Sequence, residues 1–171
     1  VRPGEVIFLK DGKINESIIA KLPAQKKQKK VLDDNFIFKN LKECVETHLR
    51  SDVPYCLFYS GGIDSTLIMY FMHILNLNKK ICAYSVNFEN NDKTAYELTK
   101  NLKNQFNIEL NQINFTEEDF WNILPFAAKK IDEPIADYAI LPTFKMASEA
   151  SKNFKVALSG EGGDELFAGY G

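Results

Sequence analysis

No stretch of the chain reads G-x-x-x-x-G-K-[ST], so it lacks the lysine with which a Walker loop grips the β- and γ-phosphates. A P-loop enzyme that transfers a γ-phosphoryl group is excluded on that ground. Cysteine is scarce: Cys44, Cys56 and Cys82 make an odd count with no C-x-x-C spacing. Two of them lie inside apolar runs, where thiols behave as small hydrophobes, which points to a reducing cytosol and away from a metal-thiolate site. Long hydrophobic runs are missing as well. The most apolar segment, Leu67 to Leu75, is too short to cross a bilayer, and Val1 opens no signal-like sequence. The expectation is a soluble cytoplasmic protein with no membrane partner. Nor does charge of one sign dominate, since 21 Lys and Arg stand against 23 Asp and Glu. Without a global field to attract nucleic acid, the expected partner is a small molecule.

What is present suffices for one ordinary domain: 171 residues, 45% hydrophobic and 12% aromatic. Val6-Ile7-Phe8-Leu9, the pair Asp11-Gly12, then Ile14 and Ile18-Ile19 predict a hairpin within residues 1–22. Residues 23–33 predict a linker, and the run Lys26 to Lys30 within it reads as solvated charge. From Asp34 onward, Phe38, Leu41, Val45 and Leu49 have helical spacing. Apolar runs at Tyr55–Tyr59, Ile81–Phe88, Ile108–Phe115 and Phe154–Leu158 predict four strands. Between them, Thr66–Leu75 predicts a helix apolar on almost every face and therefore buried. Ala95, Leu98, Leu102 and Phe106 mark an amphipathic helix. Thr116-Glu117-Glu118-Asp119 marks a helix N-terminus, and a further helix is expected from about Pro142 to Lys152. Strands alternating with helices imply right-handed β-α-β units and a parallel sheet covered on both faces.

Two glycine loops carry the chemistry. Ser60-Gly61-Gly62-Ile63-Asp64-Ser65 follows the first strand run and Ser159-Gly160-Glu161-Gly162-Gly163-Asp164-Glu165 follows the fourth. In the first, adjacent glycines let successive backbone N–H groups point inward as an anion cradle, with the positive end of a helix starting near Asp64 or Ser65 behind them. Ser60 and Ser65 offer hydroxyl donors to phosphate. An ionised Asp64 cannot donate, so beside a polyphosphate it makes sense with Mg²⁺ between the two. The bland alternative is a capped Gly-Gly turn that needs no ligand. The second loop weighs against it, because Glu161, Asp164 and Glu165 crowd like charges among glycines unless cations or substrate share the site.

The loop Ser60–Ser65 resembles the pyrophosphate-binding loop of the ATP-pyrophosphatase (PP-loop) superfamily. The stretch Ser159 to Tyr170 resembles the second motif of the asparagine synthetase family, as do Leu49 to Pro54, Ile131 to Asp137 and Leu141-Pro142-Thr143 in lesser degree. The pair of motifs, in this order and spacing, is far more specific than the first alone. The resemblance implies an α/β fold, a Rossmann-like parallel sheet of the adenine nucleotide α-hydrolase type, with residues 34–171 as the first part of a synthetase domain and residues 1–22 as the end of a glutaminase domain. It places the first and fourth strands side by side at the point where the winding reverses, so both loops would face one crevice.

The resemblance further implies an ATP-dependent, amide-forming ligase. A carboxylate, with aspartate favoured, attacks the α-phosphorus and releases pyrophosphate; ammonia then displaces AMP. Its ATP contacts fall on Tyr59, Ser60, Gly61, Gly62, Asp64, Ser65, Val86, Ser159 and Gly160, several through the backbone. Asp64 and Asp164 are the candidate Mg²⁺ ligands, with Asp92 a third. Glu161 and Asp164 are the candidate catalytic residues, Glu161 to orient the amine or take its proton. Val86 reads equally well as strand core, and Asp137 as an acceptor-pocket residue or a charged turn. Two departures stand out. The chain begins Val1-Arg2-Pro3 without the family's N-terminal cysteine nucleophile, so no glutaminase activity is expected here. It also ends at Gly171, one residue past Tyr170, so a longer protein is expected, in which a glutaminase domain and a homodimer would be the partners. Two competing functions remain: a PP-loop enzyme adenylating tRNA, disfavoured by near-neutral charge, and a nucleotide-binding module without turnover.

Overall fold

The computed structural model describes residues 2, 4–20, 33–76, 79–88, 105–133, 137–167 and 169. They divide into two compact units, Val1–Asp34 and Asn35–Gly171.

The first unit is an antiparallel hairpin of β1 (Glu5–Lys10) and β2 (Lys13–Ile19). Its two-residue turn has Asp11 at φ 52 and Gly12 at φ 71. Positive φ at both central positions gives the mirror-image turn whose twist matches that of the strands, which is why an Asp-Gly pair sits there. The register slips between Phe8 and Leu9, whose partners are Glu16 and Ile14, leaving Asn15 as a bulge. At the open end the Glu5 carboxylate accepts hydrogen bonds from the Ser17 hydroxyl at 2.6 Å and the Arg2 backbone N–H at 2.7 Å. Those two contacts hold its titration below the usual carboxylate range. Lys26 to Lys30 lie outside the described residues.

The second unit is built on a sheet of β3 (Tyr55–Phe58), β4 (Ile81–Phe88), β5 (Ile108–Phe115) and β6 (Val156–Leu158). Every pairing is parallel and the strand order is β5-β4-β3-β6. Around it lie α1 (Asp34–His48), α2 (Ile63–Leu75), α3 (Glu117–Ala128), α4 (Ile140–Ala150) and the short α5 (Gly163–Phe167). Strand side chains alternate between faces. On one face Leu57, Tyr59, Ile81 and Ala83 pack with Val45 of α1 and Met69, Phe71 and Met72 of α2. On the other, Cys56 and Tyr84 pack with Met146 and Ala150 of α4, and Phe115 packs with Ala127 of α3 and Leu141 of α4. Leu57 is fully buried; its truncation to Ala would cost about 2–5 kcal/mol. Layers on both faces and a central β3 flanked by β4 and β6 make this a doubly wound α/β fold, with the winding reversing between β3 and β6.

Several boundaries differ from expectation for local reasons. Helix α2 begins at Ile63, three residues before Thr66, because the Gly62 carbonyl already accepts from the Thr66 N–H at 3.1 Å and the Thr66 hydroxyl at 2.8 Å. It is not buried all round: Ile63 and Leu67, one turn apart, are exposed. Helix α4 begins two residues before Pro142, which sits in its first turn, where a missing N–H forfeits no helical bond. The fourth strand shrinks to three residues. Helix α3 opens with a reciprocal cap: the Asp119 N–H donates to the Thr116 hydroxyl at 3.1 Å, and the Thr116 N–H donates to the Asp119 carboxylate at 2.9 Å. It also contains Pro125, and carries the exposed Trp121 against Phe120. Of the helix expected around Ala95, Leu98 and Leu102, only its end near Phe106 lies within the described residues.

Candidate functional site

Because β3 and β6 are parallel neighbours, their C-terminal ends open on the same edge of the sheet, and the two glycine loops meet there. Tyr59 prolongs β3 by one rung, donating its N–H to the Tyr84 carbonyl at 2.8 Å. Its side chain is buried in the core between α1 and α2, so only its backbone borders the crevice.

The chain then turns through Gly61 at φ 85, a left-handed conformation that a side chain would strain, and enters α2. The loop is tied by its own serines. The Ser65 hydroxyl donates to the Gly62 carbonyl at 3.2 Å and accepts from the Ser60 N–H at 3.3 Å. With that proton used, the 3.1 Å contact between the two hydroxyls must run from Ser60 to Ser65. The Ser60 hydroxyl in turn accepts from the Gly62 N–H at 3.3 Å. Ser65 is buried and holds the loop's shape, whereas Ser60, Gly61 and Gly62 are exposed. No side chain caps the N-terminus of α2. Its first-turn N–H groups, with the helix dipole behind them, are therefore donors of the kind an anion takes. An ideal Cβ built on Gly61 meets nothing within 4 Å, so there is room for a phosphate group to lie against the backbone.

The second loop closes down on the first. Gly163 lies against the half-buried Asp64 carboxylate, and Gly160 against the Asp64 and Ser65 backbone. Asp164 is the second residue of α5, its carbonyl accepting the Gly169 N–H at 3.0 Å and its carboxylate lying against Gly169. Glu161 and Ser159 are exposed at the rim. Asp64 and Asp164 supply one carboxylate from each loop, hard oxygen donors of the kind Mg²⁺ takes; that of Asp64 lies against Gly163 and that of Asp164 against Gly169. No group of three or more His, Cys, Asp or Glu side chains that could hold a metal by themselves exists among the described residues. Asp92 lies outside them. Val86 is half-buried near the end of β4, packed against the clusters around Tyr84 and Phe115, so its side chain serves the core. Asp137 accepts the Ala139 N–H at 2.8 Å and acts as a turn residue ahead of α4.

Two features of this edge had no legible sequence signal. Gly163 matters through what it touches across the crevice. Lys145 of α4 donates to the Asn114 carbonyl at 2.7 Å and to the Asp119 carboxylate at 2.6 Å, clamping β5, α3 and α4 together. That ammonium, then the Thr116 donors, keep the Asp119 carboxyl below the ordinary carboxylate range. Burial, then the neighbouring Cys82, pushes the Cys56 thiol up to about 11 and keeps it in the unreactive protonated form.

A family model described as asparagine synthase matches residues 37–171. Among curated proteins, the chain is 34% identical over 174 residues to asparagine synthetase [glutamine-hydrolyzing] 1 of Bacillus subtilis (strain 168), covering 99% of this chain and 27% of that protein. It is 37% identical over 133 residues to the putative asparagine synthetase [glutamine-hydrolyzing] 2 of Methanocaldococcus jannaschii, covering 77% and 25% respectively. The chain thus spans about a quarter of the length of these relatives. Among solved structures, the NH3-dependent NAD synthetase of Campylobacter jejuni superposes with a TM-score of 0.52 at 20% identity, covering 82% of this chain and 62% of that one, which is a likeness of fold. No described helix is long and apolar enough to cross a membrane.

Proposed function

The chain belongs to the asparagine synthase family, and on that premise we propose that it forms the nucleotide-binding part of an ATP-dependent, amide-forming ligase. The observation that carries the reading is the meeting of two loops, from adjacent parallel strands, over the uncapped N-terminus of α2. The backbone of Ser60–Gly62 and the first turn of α2 hold the pyrophosphate portion of ATP, and Ser65 keeps that loop in shape. Asp64 and Asp164 hold Mg²⁺, which supplies charge neutralisation as pyrophosphate departs. The backbone of Tyr59, Val86, Ser159 and Gly160 borders the adenosine.

In the reaction proposed, an oxygen of a substrate carboxylate, aspartate in the first instance, attacks the α-phosphorus. The bond to the bridging oxygen of pyrophosphate breaks, and an acyl-adenylate forms. Ammonia attacks its carbonyl carbon, AMP leaves, and the amide remains. Glu161, exposed at the rim, orients the ammonia and takes the proton it loses. The hairpin of residues 1–22 is assigned to the end of a glutamine-hydrolysing domain that supplies the ammonia.

The test is exchange of labelled pyrophosphate into ATP by the full-length protein, with and without aspartate. Exchange that requires aspartate is expected. Exchange that instead requires tRNA, or nucleotide binding with no exchange in the presence of any carboxylate offered, would overturn the reading.

A further inference from the structure

The geometry points to Gly160 and Gly163 as positioning residues: the second loop sets the place of Asp64 and the Ser65 amide by lying flush on them. This rests on the nucleotide-binding reading above and assigns to the second loop a task in the pyrophosphate half of the site. A Cβ at Gly160 would stand 2.9 Å from the Asp64 Cβ, 2.9 Å from the Ser65 backbone nitrogen and 3.3 Å from the Asp64 carbonyl carbon. A Cβ at Gly163 would stand 2.6 Å from the Asp64 Cγ, 2.7 Å from Oδ1 and 3.1 Å from Oδ2. Neither glycine has positive φ, unlike Gly61 and Gly162, whose surroundings are open. At 160 and 163, then, glycine serves close approach rather than backbone torsion.

The two contacts differ in kind. At Gly160 the obstacle is the first turn of α2, which cannot rotate aside, so a methyl there must push the loops apart as bodies. At Gly163 the obstacle is a carboxylate, which can turn away about its own torsions and lose its aim. The two substitutions therefore carry different signatures. Gly160→Ala displaces the amide cradle and weakens inorganic pyrophosphate with or without Mg²⁺. Gly163→Ala moves only Asp64 and weakens pyrophosphate in the presence of Mg²⁺ alone. Were Gly160 merely a wall for adenosine, Gly160→Ala would weaken AMP and leave pyrophosphate untouched.

The experiment is calorimetric titration of the full-length protein and both variants with inorganic pyrophosphate, with and without Mg²⁺, and with AMP. Amide exchange of residues 62–66 is followed in parallel without ligand. We expect about a tenfold loss of pyrophosphate affinity for Gly160→Ala in both conditions, and about a tenfold loss confined to Mg²⁺ for Gly163→Ala, as displacements below 1 Å would give. Asp64→Asn combined with Gly163→Ala should bind Mg²⁺-pyrophosphate no more weakly than Asp64→Asn alone. Faster exchange at residues 62–66 is expected in Gly160→Ala. Wild-type pyrophosphate affinity in both variants, or loss of AMP binding alone in Gly160→Ala, overturns the inference and leaves the function standing. If the wild type binds neither ligand, the functional reading falls, and unchanged exchange in Gly160→Ala overturns the spacing as well. Should Gly160→Ala fail to fold, Gly163→Ala, whose obstacle is a side chain, still decides.

Discussion

Substituting Gly61 by Val separates what the first glycine loop costs the fold from what it does for the proposed ligand. At φ 85 an L residue sits in the left-handed region, at about 1–2 kcal/mol, and a β-branched one lies at the upper end. Nothing within 4 Å of the ideal Cβ adds a clash, so the strain is the whole penalty to stability, about 2 kcal/mol. For a chain of this size that lowers Tm by about 4–8 °C. Binding should suffer more. In the proposed function two methyl groups would occupy the volume where the backbone meets a phosphate, so Mg²⁺-ATP affinity should fall at least about 100-fold, or about 2.8 kcal/mol. Gly61→Ala is the internal control, because it carries the φ strain with little of the bulk: its Tm loss should approach that of Val while its affinity loss is clearly smaller. Calorimetric unfolding gives the first quantity and isothermal titration the second. A Gly61→Val protein that unfolds early but binds Mg²⁺-ATP like the wild type would refute the cradle, and equal affinity losses for Ala and Val would show that loop strain, not lost space, governs binding.

Asp64→Asn should weaken Mg²⁺-ATP by about tenfold or more while leaving metal-free pyrophosphate little changed, since a ligand charge is lost and the amide cradle stays; equal losses in both titrations would make Asp64 a residue that shapes the loop rather than a metal ligand. Glu161→Gln should retain nucleotide affinity and aspartate-dependent pyrophosphate exchange but slow amide formation by about 100-fold, because the amide keeps the volume and loses the basicity; loss of exchange would make it part of the adenylating machinery. Asp119→Asn should destabilise by about 1–2 kcal/mol at pH 7, measured by urea unfolding. Its carboxyl titrates in the fold below the ordinary value of 3.8, so the stabilisation is complete above that value and disappears as pH falls through the lower folded one. The gap between mutant and wild type should accordingly narrow below about pH 4, and a gap that persists there would remove the Lys145 and Thr116 contacts as its cause.

The elements legible in the sequence are those whose physics is local. The Asp11-Gly12 turn, the apolar runs of β4 and β5 and the Thr116–Asp119 cap each depend on residues within a few positions of one another, and each stands where the pattern put it. Side-by-side β3 and β6 followed from the family's strand order rather than from any pairing signal in β6, a strand of three residues. Illegible were the effects that cross the fold. Ser65 reads as a phosphate donor by composition, yet its hydroxyl is turned inward because the loop closes on Gly62. Val86 could be wall or core until α4 covered it. Lys145 and Asp119 are 26 positions apart in the chain, and Gly163 and Asp64 meet only because two strands lie adjacent; no periodicity encodes either contact.

The chain has one tryptophan, and α3 carries it: Trp121, 62% exposed, its ring edge-on to Phe120 with centroids 5.0 Å apart. Helix α3 follows β5, which lies two strands away from β3 in the sheet, whereas both glycine loops hang from β3 and β6. Intrinsic fluorescence excited at the indole therefore watches the corner clamped by Lys145, not the crevice. Within these 171 residues, Trp121 emission should stay unchanged in a nucleotide titration even when the ligand is bound, and a quench of that indole on adding ATP would instead signal that the crevice and that corner move together.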